Sequence, residues 1–279
     1  MIMLEAPTPG GSIVAGRFKM DSRTALTVLD TLIVGEMARL SAMAQYGLAY
    51  GGLVSPVLSG RGAVERLQGH RHAFYFPADE DGDGFLDHLT VYALAGLGCQ
   101  EQSALSNLKS LWWADGNSGR HGPGGVGGRI HLSFEGFLSA AELGACPRMF
   151  GPARMWRSCT PFVLVRYPKQ HRDGRPKLNE AGRQIDGPED QVLRDWERRR
   201  SENGTLPRII RIKRVAHLQL ANGRQIPWTA FLRRRTRGAG NSSDFAFGLE
   251  LECEQPVSQY PLALGYACHY GLGHFAAQV

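Results

Sequence analysis

The sequence predicts an α+β fold of antiparallel sheets and packed helices, built twice along the chain, on three observations. Period-two alternation marks strands at GSIVAGRFKM, HAFYFP, DHLTVYA and IHLSFEGF in the first half. Helical spacing falls between them, so the order there is strand, helix, strand, strand, helix, strand. The second half repeats that order and closes on a glycine-rich stretch before a last strand. This is the order of the ferredoxin-like (RRM-like) βαββαβ unit. Two such domains are therefore expected in tandem, 1–147 and 148–279, the second with a C-terminal glycine-rich loop.

The chain opens on APTPGG, a turn, and the first strand candidate follows it. Asp21 or Ser22 can cap a helix running to about Tyr46, with Leu26, Leu29, Ile33, Met37, Leu40 and Ala44 as its apolar stripe. GLAYGG ends it, and LVSPVLSGRGAVERLQ connects to a hairpin whose strands are HAFYFP and DHLTVYA. Glu101 to Trp113 reads as a second helix, and the seven glycines of Asp115–Arg129 as a loop that leaves His121 exposed. IHLSFEGF is the closing strand of the unit.

The hairpin holds three of the nine histidines, His70, His72 and His88. It is expected to bring His70 and His72 near His88, and an imidazole titrating near neutrality suits general-base work. The competing reading is that these rings pack structurally. The turn ADEDGDG also opens like a calcium loop, with Asp79, Asp81, Asp83, Gly84 and then Asp87 at ninth position. Thr90 stands where the twelfth-position Glu is needed, and a strand pattern follows instead of a helix. A polar turn is the expectation, with no metal and no cofactor.

In the second half TPFVLVRY (160–167) reads as a strand and PKQHRDGRPKLNEAGRQIDG as a long polar loop. PEDQVLRDWERRR is a helix with Pro188 in its first turn, Glu189 and Asp190 at its positive end and Arg198–Arg200 at its negative end. PRIIRIKRV and TAFLRRRTR read as basic strands, and Phe245–Glu252 alternates cleanly; strand pairing in this half stays open, and its basic strands could instead belong to one β-ribbon. PLALGYACHYGLGHFAAQV closes the chain as a short helical turn, a glycine-rich loop and a strand.

With 279 residues, 43% of them hydrophobic, the chain can bury a good core. It shows no signal peptide and no long apolar run, so no membrane association and a cytoplasmic location are expected. Five cysteines (99, 146, 159, 253 and 268) without CxxC spacing argue against a disulfide framework and a zinc site. Arg148 to Arg237 carries 22 Lys and Arg against 8 Asp and Glu, or +14; the remainder carries 10 against 18, or −8, giving the overall +6. Arg dominates the basic stretch, which favours phosphate forks and a nucleic-acid partner over a solvated face.

Three stretches carry a family likeness: LSGRGAVERLQGHRHAFYFPADEDGDGFLDHLTVYA, RSCTPFVLVRYPK and LALGYACHYGLGHF. On these the chain resembles a CRISPR repeat-processing endoribonuclease of the repeat-associated (RAMP) superfamily, and more narrowly the type I-G (formerly I-U) subfamily. The likeness covers most of residues 25–279. That subfamily commonly fuses the domain behind a Cascade backbone subunit, which this sequence lacks, so a stand-alone version or an excised domain is expected. Ala267 stands where the superfamily's loop would have another glycine.

The resemblance implies metal-independent attack of an RNA 2′-hydroxyl on the adjacent phosphate, leaving a 2′,3′-cyclic phosphate and a 5′-hydroxyl. The superfamily's usual base is a histidine in or just after the first helix; this chain has none inside that helix and the first available are His70 and His72, so His72 or His70 is the expected base and His88 the reserve. Tyr46 or Tyr50 could orient it, and Arg61 or Arg71 could stabilise charge. Gly265, Gly271 and Gly273 would let the backbone approach RNA, and His269 and His274 would contact it. Arg233, Arg234, Arg235 and Arg237 could grip a stem through phosphates and 2′-hydroxyls, or merely charge an edge strand. Repeat RNA, guide RNA and the other subunits of a type I-G effector are the implied partners. A non-catalytic RAMP subunit capping guide RNA is the nearest alternative, and a calcium-stabilised interaction protein a distant one.

Overall fold

The computed structural model describes residues 13–23, 25–61, 70–111, 129–232 and 245–278. The chain divides into two compact units, residues 1–80 with 84–145, and residues 146–279 with 81–83. The first contains β1 (Ile13–Ser22), α1 (Thr31–Ala49), α2 (Pro56–Ser59), β2 (Phe74–Ala78), β3 (His88–Tyr92), α3 (Cys99–Ser106), β4 (Ser110–Leu111) and β5 (Ile130–Ser139). Its sheet runs β2-β3-β1-β5-β4, and every pairing is antiparallel. Leaving out the two-residue β4, that is the ferredoxin-like order, with α1 and α3 as the two crossing helices.

The first helix starts later than its sequence suggests. Asp21 and Ser22 are still paired in β1, and entry is set by a capping box in which Asp30 accepts hydrogen bonds from Thr27 N–H (3.0 Å) and Thr27 Oγ1 (2.9 Å). Its buried face is also rotated from the predicted stripe. Val34, Met37, Ala38, Ala42 and Tyr46 are buried, whereas Ile33 and Leu40 are half-buried and Ala44 exposed. Small side chains at Gly35, Ala38, Ser41 and Ala42 let the helix lie close, so closeness outweighed bulk in choosing the face. The second helix is shorter than predicted, ending at Ser106; Leu111 is instead buried as part of β4, opposite Ile130.

The second unit contains α4 (Pro147–Phe150), β6 (Ala153–Ser158), β7 (Phe162–Val163), α5 (Pro188–Glu202), β8 (Ile209–Val215), β9 (His217–Gln219), β10 (Gln225–Pro227), β11 (Ala246–Val257) and β12 (Phe275–Gln278). β6 and β7 lie along one edge of β11, β8 along the other, and β12 outside β6. The order β12-β6-β11-β8 with α5 repeats the ferredoxin-like arrangement, interrupted at Cys159–Pro161. The sequence reading placed this first strand at 160–167; the main strand is Ala153–Ser158, masked by its mixed ARMWRS composition but anchored by fully buried Trp156. TAFLRRRTR is no strand where it is described. Trp228–Phe231 forms a 3-10 turn that buries Trp228 and Phe231, with the indole occupying the space a side chain at Gly248 would need.

One ferredoxin element has no counterpart in this unit. Between β11 and β12, where the second crossing helix belongs, residues 258–274 form a glycine-rich loop whose only helical turn is the 3-10 segment Cys268–Tyr270. The unit closes its core without that helix, around Trp156, Phe162, Val192, Trp196, Leu249, Leu262 and Phe275.

Candidate functional site

The first unit sets His72 beside a short, heavily tied helix end. α2 is capped by Ser55, whose Oγ accepts from Leu58 N–H (3.1 Å) and donates to Glu101 Oε1 (2.6 Å). At its other end, Arg39 Nη2 donates to Ser59 O (2.6 Å) and Tyr75 Oη to Leu58 O (2.9 Å). Gly60 then turns the chain with a left-handed φ of 75°. The His72 imidazole occupies the space left by its missing side chain; a Cβ there would stand 2.9 Å from Cδ2. Burial first, and the Arg39 charge second, push the His72 pKa down to about 4.

His72 is therefore neutral at physiological pH, the form in which a ring nitrogen can take a proton. A phosphate arriving beside Arg39 would add negative charge and raise the imidazole's proton affinity, while the guanidinium is suited to developing phosphorane charge. Sequence reading missed Arg39. The signal was present: it is the single basic residue between Thr31 and Ala49.

His70 and His88 have different surroundings. His70 occupies a left-handed turn (φ 53°) and stacks on Phe74 with centroids 6.1 Å apart. His88 belongs to an acidic network on the sheet. Its Nδ1 lies 2.9 Å from Asp87 Oδ1 and 3.5 Å from Glu80 Oε2, and its Nε2 lies 3.5 Å from Glu135 Oε1. Arg17 joins the same carboxylates, donating to both oxygens of Glu80 (2.8 and 3.1 Å) and to Glu135 (3.3 Å). Carboxylates on both ring nitrogens disfavour approach of a phosphate to His88.

The expected meeting of His72 with His88 does not occur. In the antiparallel register Phe74 faces Tyr92 and Ala78 faces His88, so the starts of the two strands lie at opposite ends of the hairpin. At about 3.3 Å per residue, four steps separate those ends by roughly 13 Å. The acidic turn ties itself together: Gly84 N–H donates to Asp79 (2.8 Å), Asp83 N–H to Asp81 (3.1 Å) and Glu80 N–H to Asp87 (3.2 Å). Thr90 is fully buried within β3, which removes the last ligand position of a calcium loop.

Tyr46 Oη donates to Gln100 Oε1 (2.7 Å) and its ring lies 4.8 Å from that of Tyr50. Arg61 and Arg71 are exposed.

In the second unit the glycine loop is anchored on α5. Asp195 Oδ2 accepts from Gly265 N–H (3.2 Å) and lies 3.4 Å from Arg199 Nη2. The Arg199 side chain is 1% exposed and also reaches Tyr260 Oη (3.4 Å) and Cys268 Sγ (3.8 Å). Burial pushes the Cys268 thiol up, against the pull of Arg199. Sequence reading placed Arg199 among the charges at the helix's negative end and did not single out Asp195; the four-residue spacing of the two was the available signal.

The loop's glycines fit the chain's own backbone closely. A Cβ at Gly273 would stand 1.8 Å from Leu264 O, and one at Gly265 would stand 2.6 Å from the Phe162 ring. Ala267, where a further glycine was expected, takes φ 56° all the same. Gly271 is left-handed as well (φ 89°), and its carbonyl accepts from Thr160 Oγ1 (2.7 Å). His274 is 5% exposed, its pKa lowered to about 4 by burial and Arg148, and its carbonyl receives Cys159 N–H (3.0 Å). His269 is half-buried and so is the more accessible loop histidine. Arg233, Arg234, Arg235, Arg237 and His121 lie outside the described residues.

No protein-family model matches the chain, and no curated protein sequence does either. Among solved structures, a CRISPR associated protein Cas6 aligns at 7% identity and TM-score 0.41, covering 95% of this chain and 99% of its own. A Cas6 product complex aligns at 13% identity and TM-score 0.33, covering 95% and 98%. Among the described residues, no helix is long and apolar enough to cross a membrane.

Proposed function

We propose that this protein is an endoribonuclease that cuts CRISPR repeat RNA to guide RNA and stays bound to the 3′ stem-loop within a type I-G Cascade-like effector in the cytoplasm. The observation that carries the reading is His72, a neutral imidazole set against Gly60 beside the Arg39 guanidinium. The three stretches resembling the RAMP superfamily support the choice of RNA and of repeat processing, as does the +14 charge between Arg148 and Arg237.

On this reading His72 accepts the proton of the RNA 2′-hydroxyl while that oxygen attacks the adjacent phosphorus. The bond to the 5′-oxygen breaks, and the leaving oxygen takes a proton from solvent, to which the His72 imidazolium returns its own, giving a 5′-hydroxyl beside a 2′,3′-cyclic phosphate. Arg39 meets the developing negative charge. His70, beside the same strand, is the second candidate for proton transfer, and His88 holds the sheet network with Asp87, Glu80 and Glu135. The loop of Gly265, Gly271, Gly273 and His274 shapes a surface that presents His269 to RNA, and Arg233, Arg234, Arg235 and Arg237 add phosphate contacts.

The deciding experiment incubates a cognate repeat hairpin with the protein in EDTA and identifies the product ends. Cleavage with a 2′,3′-cyclic phosphate is expected. Loss of cutting in EDTA, or a 5′-phosphate product, overturns the mechanism; binding without any cutting favours a subunit that caps guide RNA.

A further inference from the structure

The segment between β7 and α5, a long polar loop by its composition, is an ordered device. It carries an eight-residue repeat, Lys169-Gln-His-Arg-Asp-Gly-Arg-Pro followed by Lys177-Leu-Asn-Glu-Ala-Gly-Arg-Gln. Each copy makes the same hairpin. His171 N–H donates to Arg175 O (2.8 Å) and Gly174 N–H to His171 O (3.0 Å); Asn179 N–H donates to Arg183 O (2.8 Å) and Gly182 N–H to Asn179 O (2.9 Å). Gly174 and Gly182 supply the left-handed turns, at φ 84° and 71°. The two copies and the residue after them close a ring: Lys177 N–H donates to Lys169 O, Ile185 N–H to Lys177 O and Lys169 N–H to Ile185 O, at 2.8–3.0 Å.

A buried amide fastens the base of this protrusion to α5. Gln191 Oε1 accepts from Val165 N–H (3.0 Å) and Arg166 N–H (3.3 Å), and its Nε2 donates to Arg166 O (2.8 Å) and Asp186 O (2.7 Å). Both ends of the segment are thus held, yet every residue from Lys169 to Leu178 is exposed. An ordered element that buries so little of itself contributes little to the core, and its surface is its distinguishing property.

That surface is cationic. Arg166, Lys169, Arg172, Arg175, Lys177 and Arg183 stand against Asp173 and Glu180. Arg175 pairs with Asp173 (2.7 Å) and Lys169 with Asp186 (3.9 Å), whereas Arg166, Arg172, Lys177 and Arg183 pair with no carboxylate among the described residues. At the base, Tyr167 (61% exposed) meets Phe245 (42%) edge-on with ring centroids 6.1 Å apart. Clustered guanidinium and ammonium groups beside exposed rings suit a phosphate backbone with an unstacked base.

We propose that the double-hairpin protrusion, 166–185, grips the backbone of the bound RNA, with the Tyr167–Phe245 pair stacking on an unpaired base next to it. The inference rests on the RNA-processing reading above and adds a second grip to the glycine loop. The two copies place Lys169 and Lys177, and Arg175 and Arg183, at equivalent positions; with Lys169 and Arg175 held by Asp186 and Asp173, the grip falls to Arg172 in the first copy and to Lys177 and Arg183 in the second.

The test compares the full chain with an Arg172→Ala, Lys177→Ala, Arg183→Ala triple variant, titrated with a repeat stem-loop bearing single-stranded flanks across a salt series. These exposed side chains can be removed without disturbing the hydrogen-bonded ring. Affinity is expected to fall at least about tenfold at physiological salt, and the slope of log affinity against log salt by about 2–3, at roughly 0.7–0.9 per phosphate contact. Tyr167→Ala should abolish quenching of a 2-aminopurine placed in the flank while leaving that slope in place. Equal affinity and equal slope in the triple variant overturn the proposal, and that outcome includes a protrusion that seats an acidic protein instead. A wild type that binds the stem-loop without cutting it defeats the endoribonuclease reading alone, because the two titrations still judge the protrusion. A wild type that binds no RNA defeats both.

Discussion

The His72 imidazole fills the space in front of Gly60, so closely that a methyl group at residue 60 would stand 2.9 Å from the ring. Gly60 also has φ 75°, which an alanine adopts only at a cost of about 1 kcal/mol or more. His72→Ala should leave RNA affinity nearly intact and lower the single-turnover cleavage rate by about 10²–10⁴-fold. Gly60→Ala should also slow cleavage, by moving the ring. His88→Ala, which breaks the network with Asp87, Glu80 and Glu135, is expected to lower melting temperature more than rate.

Two histidines make stability depend on pH in a known direction. His72 and His274 both have pKa values of about 4 in the folded chain, below the ordinary 6.5. The unfolded chain therefore takes up protons as pH falls from 6.5 towards 4 that the folded chain refuses, so stability drops across that window and levels off beneath it. For His274 the loss amounts to roughly 3 kcal/mol. Urea midpoints measured from neutral pH downwards should show a shallower decline in His274→Leu than in wild type; parallel declines would rule this linkage out.

The glycine loop can be tested at one alanine and one glycine. Ala267 at φ 56° bears the strain of a left-handed residue with a side chain, so Ala267→Gly should raise stability by up to about 1 kcal/mol. Gly273→Ala cannot be accommodated, because its Cβ would stand 1.8 Å from the Leu264 carbonyl oxygen. Thermal melts of the two variants should move in opposite directions.

Asp195 holds the loop through Gly265 N–H and faces the buried Arg199 guanidinium. Asp195→Ala removes both contacts, and with them the exposed ion pair to Arg198 (2.8 Å), and leaves a buried charge without its carboxylate, at a cost of about 3–5 kcal/mol. Adding Arg199→Met should recover part of that loss, since the uncompensated charge is gone. A double variant no more stable than the single one would show that the Gly265 contact, not the charge, dominates.

The order of strands and helices in the first unit was legible because each element carries its own period: Phe18 and Met20 alternate with Arg17 and Lys19 on β1, and Leu89 and Val91 with His88 on β3. The glycine loop was legible too, since left-handed turns demand particular residues locally. Register and closeness are different in kind. The hairpin read from the sequence already put the starts of its strands at opposite ends, which the expected meeting of His72 with His88 overlooked; only the exact register, Phe74 on Tyr92 and Ala78 on His88, is a relation between two strands that neither carries alone. Nothing local turns the buried face of α1 towards Ala38 and Ala42 in preference to Ile33 and Leu40, because that face is chosen by how near the sheet lies. Arg39 meets Ser59, Asp195 meets Gly265, and Gln191 meets Val165 by contacts spanning 20 to 70 residues of chain. Composition and periodicity thus set what each segment could become. Packing alone decided which side chains share a site, because a side chain's burial, and with it the proton affinity of His72, depends on atoms far away in sequence.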